Sequence, residues 1–265
     1  MGTLGKDLFD IRRPRRNTKV EFGESCYWVE SNPAPQPYGT ILTEILNLDA
    51  APYQAVMDRL DDVVKHKNRK EAPRAYLDML SVSAELPLYR LYATDFQMLK
   101  DIPVEVLVVG EARKAFEEDV IERKSDTPVF VQKQLDDIRF IQERYAWFLD
   151  SMFKGVGFEK KKGQRKESLA KQVYLHNLGA FVSGVSLGAD PKVDAPQVKT
   201  QYRMRGEVQG ECEIVEKMYF NELLDFVYVE LMKGLQKGFV PKRCANCRRW
   251  FLQTPGATYS YCNEP

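Results

Sequence analysis

Hydrophobic residues recur at helical spacing along much of this chain, most regularly between residues 128 and 153. Thr127 is suited to cap a helix there, Pro128 suits the first turn, and Gly155 marks an end. The apolar positions of this segment come every three or four residues: Val131, Leu135, Ile138, Ile141, Tyr145, Phe148 and Met152. The pattern predicts a core-forming helix of about seven turns.

Shorter helical patterns lie on both sides of this segment. Residues 41–100 are predicted to form several helices separated at Pro52, Pro73 and Pro87, and a further helix is predicted over residues 167–185. Asn221 is predicted to cap a last helix that stops at Gly238. The predicted apolar face of that helix consists of Leu224, Val227, Tyr228, Leu231 and Leu235.

Strand-forming residues cluster in two regions. Residues 19–30 surround Gly23 and predict a short hairpin, whereas the proline-rich residues 32–39 are predicted to be a loop. Residues 190–218 predict a hairpin or small meander, and the apolar run over 103–110 fits either a strand or a helix start.

These elements predict an α+β fold, predominantly α-helical, in which a helical body carries small β-hairpin elements and an incomplete C-terminal zinc ribbon. The predicted domains are a basic arm and short hairpin over 1–37, a helical body over 38–190, a β meander plus helix over 191–240, and a partial zinc-knuckle module over 241–265.

The net charge of +1 conceals an uneven distribution. Basic residues concentrate near the N-terminus, in the segment KKKGQRK and around the last cysteines, and they leave the remainder of the chain strongly acidic. Such clusters are either solvated surface or phosphate-binding sites. The candidate phosphate contacts are Arg12, Arg13, Arg15, Arg16, Lys242, Arg243, Arg248 and Arg249.

Neither a membrane span nor a signal peptide is expected, because charges interrupt every apolar run and the N-terminus lacks an apolar stretch. We therefore expect a cytoplasmic protein without a membrane partner.

Familiar catalytic machinery is not evident. Ser186 lies in a G-x-S-x-G sequence, but the residues before it are helical in pattern and no histidine follows it. Of the two histidines, His66 is expected to face solvent and His176 to be a hydrogen-bonded core residue. Adjacent acid pairs such as Asp136 and Asp137 point about 100° apart on a helix, so they are interpreted as exposed faces.

The most specific motif lies at the C-terminal end. Cys244 and Cys247 form a Cys-x-x-Cys knuckle, and Cys262 follows after fourteen residues. Zinc favours tetrahedral thiolate sites, and two cysteines at this spacing can chelate it from one tight turn. Trp250 and Phe251 are available to pack beneath the metal. The remaining cysteines, Cys26 and Cys212, are expected to be small buried residues.

A four-ligand zinc site needs one more ligand. Cys212, His176 and Glu264 are possible, and a residue beyond Pro265 is also possible because a ribbon commonly pairs its second half as it did its first. We expect the fourth ligand to be a residue beyond Pro265, so that residues 241–265 are only part of a zinc module.

The segment EKMYFNELLDFVYVELMKGLQKGFVPKRCANCRRWFLQT and the cysteine after it resemble functionally uncharacterised proteins of Gram-positive gut bacteria and their mobile elements over residues 215–265. They are also similar, more distantly, to CGNR-type zinc fingers that end some bacterial transcriptional regulators. In that pattern a Thr-Cys-Arg segment and a basic helical tail follow. The resemblance implies that Cys244, Cys247 and Cys262 match three ligand positions, whereas the fourth is absent here.

Together these features predict a non-enzymatic protein that binds nucleic acid or a nucleoprotein complex. The alternative is a protein-interaction module, for instance an anti-defence inhibitor from a phage or mobile element that docks on a host nuclease. An enzyme that uses cysteines or carboxylates in an unfamiliar arrangement is a third possibility.

Overall fold

A computed structural model describes residues 18–29, 32–83, 85–86, 113, 127–154, 198–206, 212–220, 222–256 and 261–262. Its described helices are α1 (Thr40–Asn47), α2 (Ala51–Lys65), α3 (Ala72–Ser83), α4 (Thr127–Lys154) and α5 (Leu223–Lys237). Its described strands are β1 (Thr18–Phe22), β2 (Cys26–Val29), β3 (Asn32–Pro37), β4 (Lys199–Gly206), β5 (Cys212–Phe220), β6 (Val240–Arg243) and β7 (Trp250–Gln253). The described part of the chain is therefore α+β.

The strands form a five-stranded sheet of order β3-β2-β1-β5-β4 and a two-stranded sheet of β6 and β7. The sequence predicted two separate small β elements, one near each end of the chain. Instead, β1 pairs antiparallel with β5, which sets Val20 opposite Met218 and joins both elements in one sheet. Local periodicity could not show this pairing, because it connects segments that are far apart along the chain.

The predicted loop over 32–39 is partly wrong, because residues Asn32–Pro37 form strand β3. Proline cannot donate a hydrogen bond to a neighbouring strand, so prolines are tolerated in strands at a sheet edge. Strand β3 lies at such an edge. The proline-rich sequence therefore marks an edge strand as well as the turn that follows it.

The described residues divide into two compact units. The first comprises those within residues 1–36, 48–139 and 199–223, and the second those within 37–47, 140–198 and 224–265. Helix α4 thus contributes residues through 139 to the first unit and its remaining residues to the second.

In the first unit, α2 packs against α3 and the five-stranded sheet supplies a second apolar surface. One face of that sheet is buried through Val20, Phe22 and Tyr27, which are at most 2% exposed. The ring of Phe22 lies 5.8 Å from that of Tyr27 and 6.1 Å from that of Phe220, measured between centroids. Burying aromatic side chains on one sheet face gives this unit its core.

Helix α4 confirms the long helix predicted over residues 128–153. Six of its predicted core residues are buried, namely Val131, Leu135, Ile138, Ile141, Tyr145 and Phe148, whereas the side chain of Met152 is outside the described part. The adjacent acids differ from expectation, because Asp136 is exposed but Asp137 is only 9% exposed. One residue further along a helix turns the side chain by about 100°, which brings Asp137 onto the buried side beside Ile138.

The last predicted helix is confirmed as α5, and its predicted face is partly right, because Val227 and Leu231 are buried. Leu224, Tyr228 and Leu235 are only half-buried. The buried stripe consists of Leu223, Phe226, Val227, Glu230 and Leu231. A charged residue in the middle of this stripe interrupts the apolar pattern, so the sequence favoured a neighbouring face.

The end of α5 has a specific geometry. Gly238 adopts a left-handed backbone with φ of 86°, and its N–H donates to the carbonyl of Leu235. The N–H of Phe239 donates to the carbonyl of Gly234 at 2.8 Å. These two bonds form a Schellman motif, which satisfies carbonyls that would otherwise be unpaired at the helix end. The predicted stop at Gly238 is confirmed.

Several predicted features lie outside the described residues: the helix over 167–185, the apolar run over 103–110, the cap Asn221 and His176. The helices predicted within 41–100 are confirmed for α1, α2 and α3. None of the described helices combines the length and hydrophobicity that crossing a membrane requires.

Candidate metal centre

The β6–β7 hairpin holds two of the three cysteines in one turn. Arg243 and Trp250 face each other where the strands meet the turn, and the N–H of Cys244 donates to the carbonyl of Arg249 at 2.8 Å. The N–H of Arg248 donates to the carbonyl of Cys244 at 3.1 Å. These bonds fix the backbone on both sides of the Cys-x-x-Cys sequence, so Cys244 and Cys247 keep a defined separation.

The third cysteine completes a compact cluster. The Sγ atoms of Cys244, Cys247 and Cys262 all lie within 4.8 Å of one another, and those of Cys247 and Cys262 are 3.5 Å apart. Thiolates bound at about 2.3 Å from a tetrahedral zinc ion lie about 3.8 Å apart. The spacing of the three sulfurs therefore fits a shared metal ion, and all three residues could serve as ligands.

Backbone donors favour the thiolate form of Cys244. The N–H of Cys262 donates to Cys244 Sγ at 3.4 Å, and further donation comes from the N–H of Cys247 and of Asn246. These bonds outweigh burial, which acts in the opposite direction, and lower the pKa of Cys244 to about 6. Because a metal binds the thiolate and not the thiol, this turn has a ligand prepared for a cation.

The hairpin is tied to helix α1 through one side chain. The amide of Asn47 donates to the carbonyl of Trp250 at 2.8 Å, and its Oδ1 accepts from the N–H of Trp250 at 2.8 Å. Trp250 is only 5% exposed, so its side chain is buried. The start of β7, directly after the cysteine turn, is therefore fixed to a helix.

Helix α1 is itself held by a buried carboxylate. Glu230 of α5 is fully buried and accepts from the N–H groups of Ile41 and Leu42 at 3.0 Å each. Gly39, whose carbonyl accepts the first helical bond from Thr43, has no side chain that could cap the helix. Glu230 supplies the missing capping group from another helix.

Arg243 anchors the hairpin in a different way. Its guanidinium forms an ion pair with Asp150 of α4 at 3.1 Å and lies 4.4 Å from the centre of the Trp250 ring. It also donates to the carbonyl of Arg248 at 3.3 Å. This side chain joins α4, β7 and the cysteine turn, so its contacts are those of a structural residue.

The other predicted phosphate contacts of the hairpin differ in exposure. Lys242 is half-buried, and burial lowers its pKa. Arg248 and Arg249 are exposed in the segment between Cys247 and β7. Arg248 adopts a left-handed backbone with φ of 66°, a conformation that usually favours glycine. Three of the four predicted cationic residues next to the cluster are therefore exposed, and of these Arg243 is held by Asp150 and Trp250.

The remaining predicted residues are distributed more widely. Cys212 is exposed and Cys26 is half-buried, so the expectation that both are buried is wrong; both sit on strands that have one partly solvated face. His66 is exposed as predicted and contacts Asp62 at 3.1 Å. Among the possible fourth ligands, Cys212 belongs to the first unit, whereas His176 and Glu264 lie outside the described residues, as does the basic arm with Arg12, Arg13, Arg15 and Arg16.

Sequence reasoning missed the residues that position the cluster. Asn47, Asp150 and Glu230 are far from the cysteines along the chain and belong to no motif. For Glu230 there was one usable signal, because a lone acidic residue between Val227 and Leu231 on an apolar helix face requires a polar partner when it is buried.

Comparison with known protein families finds a match at the C-terminal end of the chain. Residues 191–265 match a protein family described as a family of unknown function (DUF6076). The match includes the whole cysteine cluster, and it agrees with a resemblance to an uncharacterised family at this end of the chain. Neither a curated protein nor a solved structure matches the chain.

Proposed function

We propose that the cysteine cluster binds zinc, and that the zinc-stabilised hairpin binds nucleic acid through Arg248 and Arg249. Three thiolates in a tight turn are a soft ligand set of the kind that structural zinc sites use. A segment this short has little core of its own, so metal binding would contribute directly to its folding.

The observation that carries the nucleic-acid proposal is the geometry of Arg248. A non-glycine residue in the left-handed region costs about 1 kcal/mol or more, and this cost is tolerated where the side chain is needed. Arg248 is exposed at that position, beside the exposed Arg249 and directly after a cluster cysteine. Two adjacent guanidinium groups on a rigid turn suit phosphate oxygens, which arginine can contact with two hydrogen bonds at once.

Fluorescence anisotropy of labelled oligonucleotides with the full chain tests this proposal. The variant Arg248→Glu/Arg249→Glu is compared with Lys65→Glu/Lys70→Glu, which makes the same charge change at two exposed lysines of the first unit. We expect the hairpin variant to bind duplex DNA more weakly. The slope of its log affinity against log salt concentration should fall in magnitude by about 1.8. Equal affinities for the two variants would contradict the assignment.

A second candidate function is supported by one observation. Tyr202, Met204 and Ile214 on the β4–β5 hairpin are 71%, 62% and 69% exposed. Exposed apolar clusters are typical of protein-interaction surfaces. If a partner protein stays bound to the chain after nuclease treatment, but does not bind the variant Tyr202→Ser/Ile214→Ser, the protein-interaction module is favoured.

A further inference from the structure

The five-stranded sheet has a second face with a different chemistry from its buried face. The register of β1, β4 and β5 aligns Lys19 with Tyr219 and Lys199, and Glu21 with Lys217 and Gln201. Residues opposite each other in antiparallel strands point to the same side. The cations brought to this side are Lys19, Lys199, Arg203, Arg205 and Lys217.

The charges on this face do not balance. Its carboxylates in these strands are Glu21 and Glu213, so the five cations leave a surplus of three positive charges. Arg203 and Arg205 both form ion pairs with Glu21, which is only 8% exposed. These two arginines more than neutralise the buried carboxylate, and the three lysines carry most of the positive surplus.

Aromatic rings lie among these cations. The ammonium groups of Lys199 and Lys217 are 5.8 Å and 5.7 Å from the centre of the Tyr219 ring. The guanidinium of Arg205 lies 4.3 Å from the centre of the Trp28 ring. Lys199 is exposed, whereas Lys217 and Tyr219 are half-buried, so an approaching ligand can reach this group.

We propose that this face is a platform for single-stranded nucleic acid, on which Lys199 and Lys217 contact phosphates and the ring of Tyr219 stacks on a base. Lys199 lies opposite Tyr219 on the neighbouring strand and Lys217 lies two residues along the same strand, so cations and an aromatic ring are close enough to contact the phosphates and a base of one unpaired strand. The inference rests on the proposed function in taking nucleic acid as the ligand, but it assigns a separate surface and a narrower class of ligand.

A single strand suits this surface better than a duplex. The bases of a duplex are stacked on one another and offer no free ring face to Tyr219, whereas an unpaired strand can present one. Proteins read duplex DNA with an element that projects into a groove. The charges here lie instead on one side of an open sheet. RNA and DNA single strands share this chemistry, so both are included in the test.

The variant Lys199→Glu/Lys217→Glu tests the phosphate contacts. Arg203 and Arg205 are left intact, because removing either would take an ion-pair partner from the buried Glu21 and destabilise the fold. A loss of binding could then not be separated from a loss of stability. Lys65→Glu/Lys70→Glu again controls for net charge. In anisotropy titrations with labelled single-stranded RNA and DNA, the sheet variant should bind about tenfold more weakly. The slope of its log affinity against log salt concentration should fall in magnitude by about 1.4.

Substitutions at Tyr219 test the stacking contact separately. Tyr219→Phe keeps the ring and removes only the hydroxyl that donates to Gln201 at 3.1 Å, so single-strand affinity should stay within about twofold. Tyr219→Leu removes the ring and should weaken binding about tenfold. Equal affinities for the phenylalanine and leucine variants would overturn the stacking role.

Comparison with Arg248→Glu/Arg249→Glu separates the two proposals. If the sheet variant loses single-strand binding while the hairpin variant retains it, the platform is supported. The proposed role of the hairpin fails only if the hairpin variant also binds duplex DNA as tightly as the unaltered chain. If only the hairpin variant loses binding, or if duplex and single strand bind the sheet variant as well as the unaltered chain, the platform is overturned. Absence of binding to every oligonucleotide overturns both.

Discussion

Asn47 and Trp250 are joined by two reciprocal hydrogen bonds of 2.8 Å, in which the side-chain amide of Asn47 pairs with the backbone N–H and carbonyl of Trp250. The amide thereby acts like a short piece of a neighbouring strand for β7. Because Trp250 follows the cysteine turn, this pair positions the candidate metal centre relative to α1 within the second unit.

Replacing Asn47 should destabilise the hairpin. Asn47→Ala removes both bonds and should lower the free energy of unfolding by about 1–2 kcal/mol. Asn47→Asp keeps an acceptor for the N–H of Trp250 but sets a second oxygen against its carbonyl, so we expect a loss at least as large. Urea unfolding of both variants, at constant zinc concentration, measures the effect. Unchanged midpoints would show that this pair does not hold the hairpin.

The buried carboxylate of Glu230 should be among the most sensitive positions. Glu230→Ala leaves the N–H groups of Ile41 and Leu42 without their acceptor and creates a cavity, which should cost about 2–4 kcal/mol. Glu230→Gln keeps one acceptor oxygen and the volume, and it should cost less. Thermal unfolding followed by circular dichroism ranks the two, and a glutamine variant no more stable than the alanine variant would contradict the capping role.

Two left-handed glycines provide a matched comparison. Gly39 and Gly256 have φ of 86° and 77°, but a Cβ added at Gly39 would lie 2.9 Å from Leu252 Cδ1, whereas one at Gly256 would meet nothing within 4 Å. Gly256→Ala should therefore cost only the backbone strain, about 1 kcal/mol. Gly39→Ala adds displacement of Leu252 and should cost about 2 kcal/mol. Equal losses in chemical denaturation would contradict this packing at Gly39.

Arg243 should affect stability more than binding. Its ion pair with Asp150 is partly exposed, so screening by solvent limits its contribution, and the contact with Trp250 adds to it. We expect Arg243→Gln to lower the free energy of unfolding by about 1 kcal/mol, with less effect when Asp150→Asn is already present. A double-mutant cycle gives this coupling. Purely additive losses would argue against the anchor.

Local patterns in the sequence were sufficient for the elements they directly encode. The start of α4 follows from Pro128 and the end of α5 follows from Gly238, because proline and glycine affect the backbone at their own positions. The proximity of Cys244 to Cys247 follows from their spacing. In each case the structural cause lies within a few residues of the feature.

Contacts between distant segments were not accessible in the same way. The pairing of β1 with β5 and the bonds from Glu230 to α1 join residues that are far apart in sequence, and no periodicity links them. The buried face of α5 was partly misassigned for the same reason, because the buried Glu230 has its hydrogen-bond partners in α1. The polar face of the sheet likewise depends on strand register, which the sequence does not state.

The zinc content of the purified full chain, measured by elemental analysis, tests the central claim most directly. The account predicts about one zinc ion per chain, lost in Cys244→Ser and retained in Cys26→Ser, which alters a cysteine outside the cluster. A chain that carries no zinc after purification in zinc-containing buffer, or a Cys244→Ser variant that keeps its zinc, would contradict it.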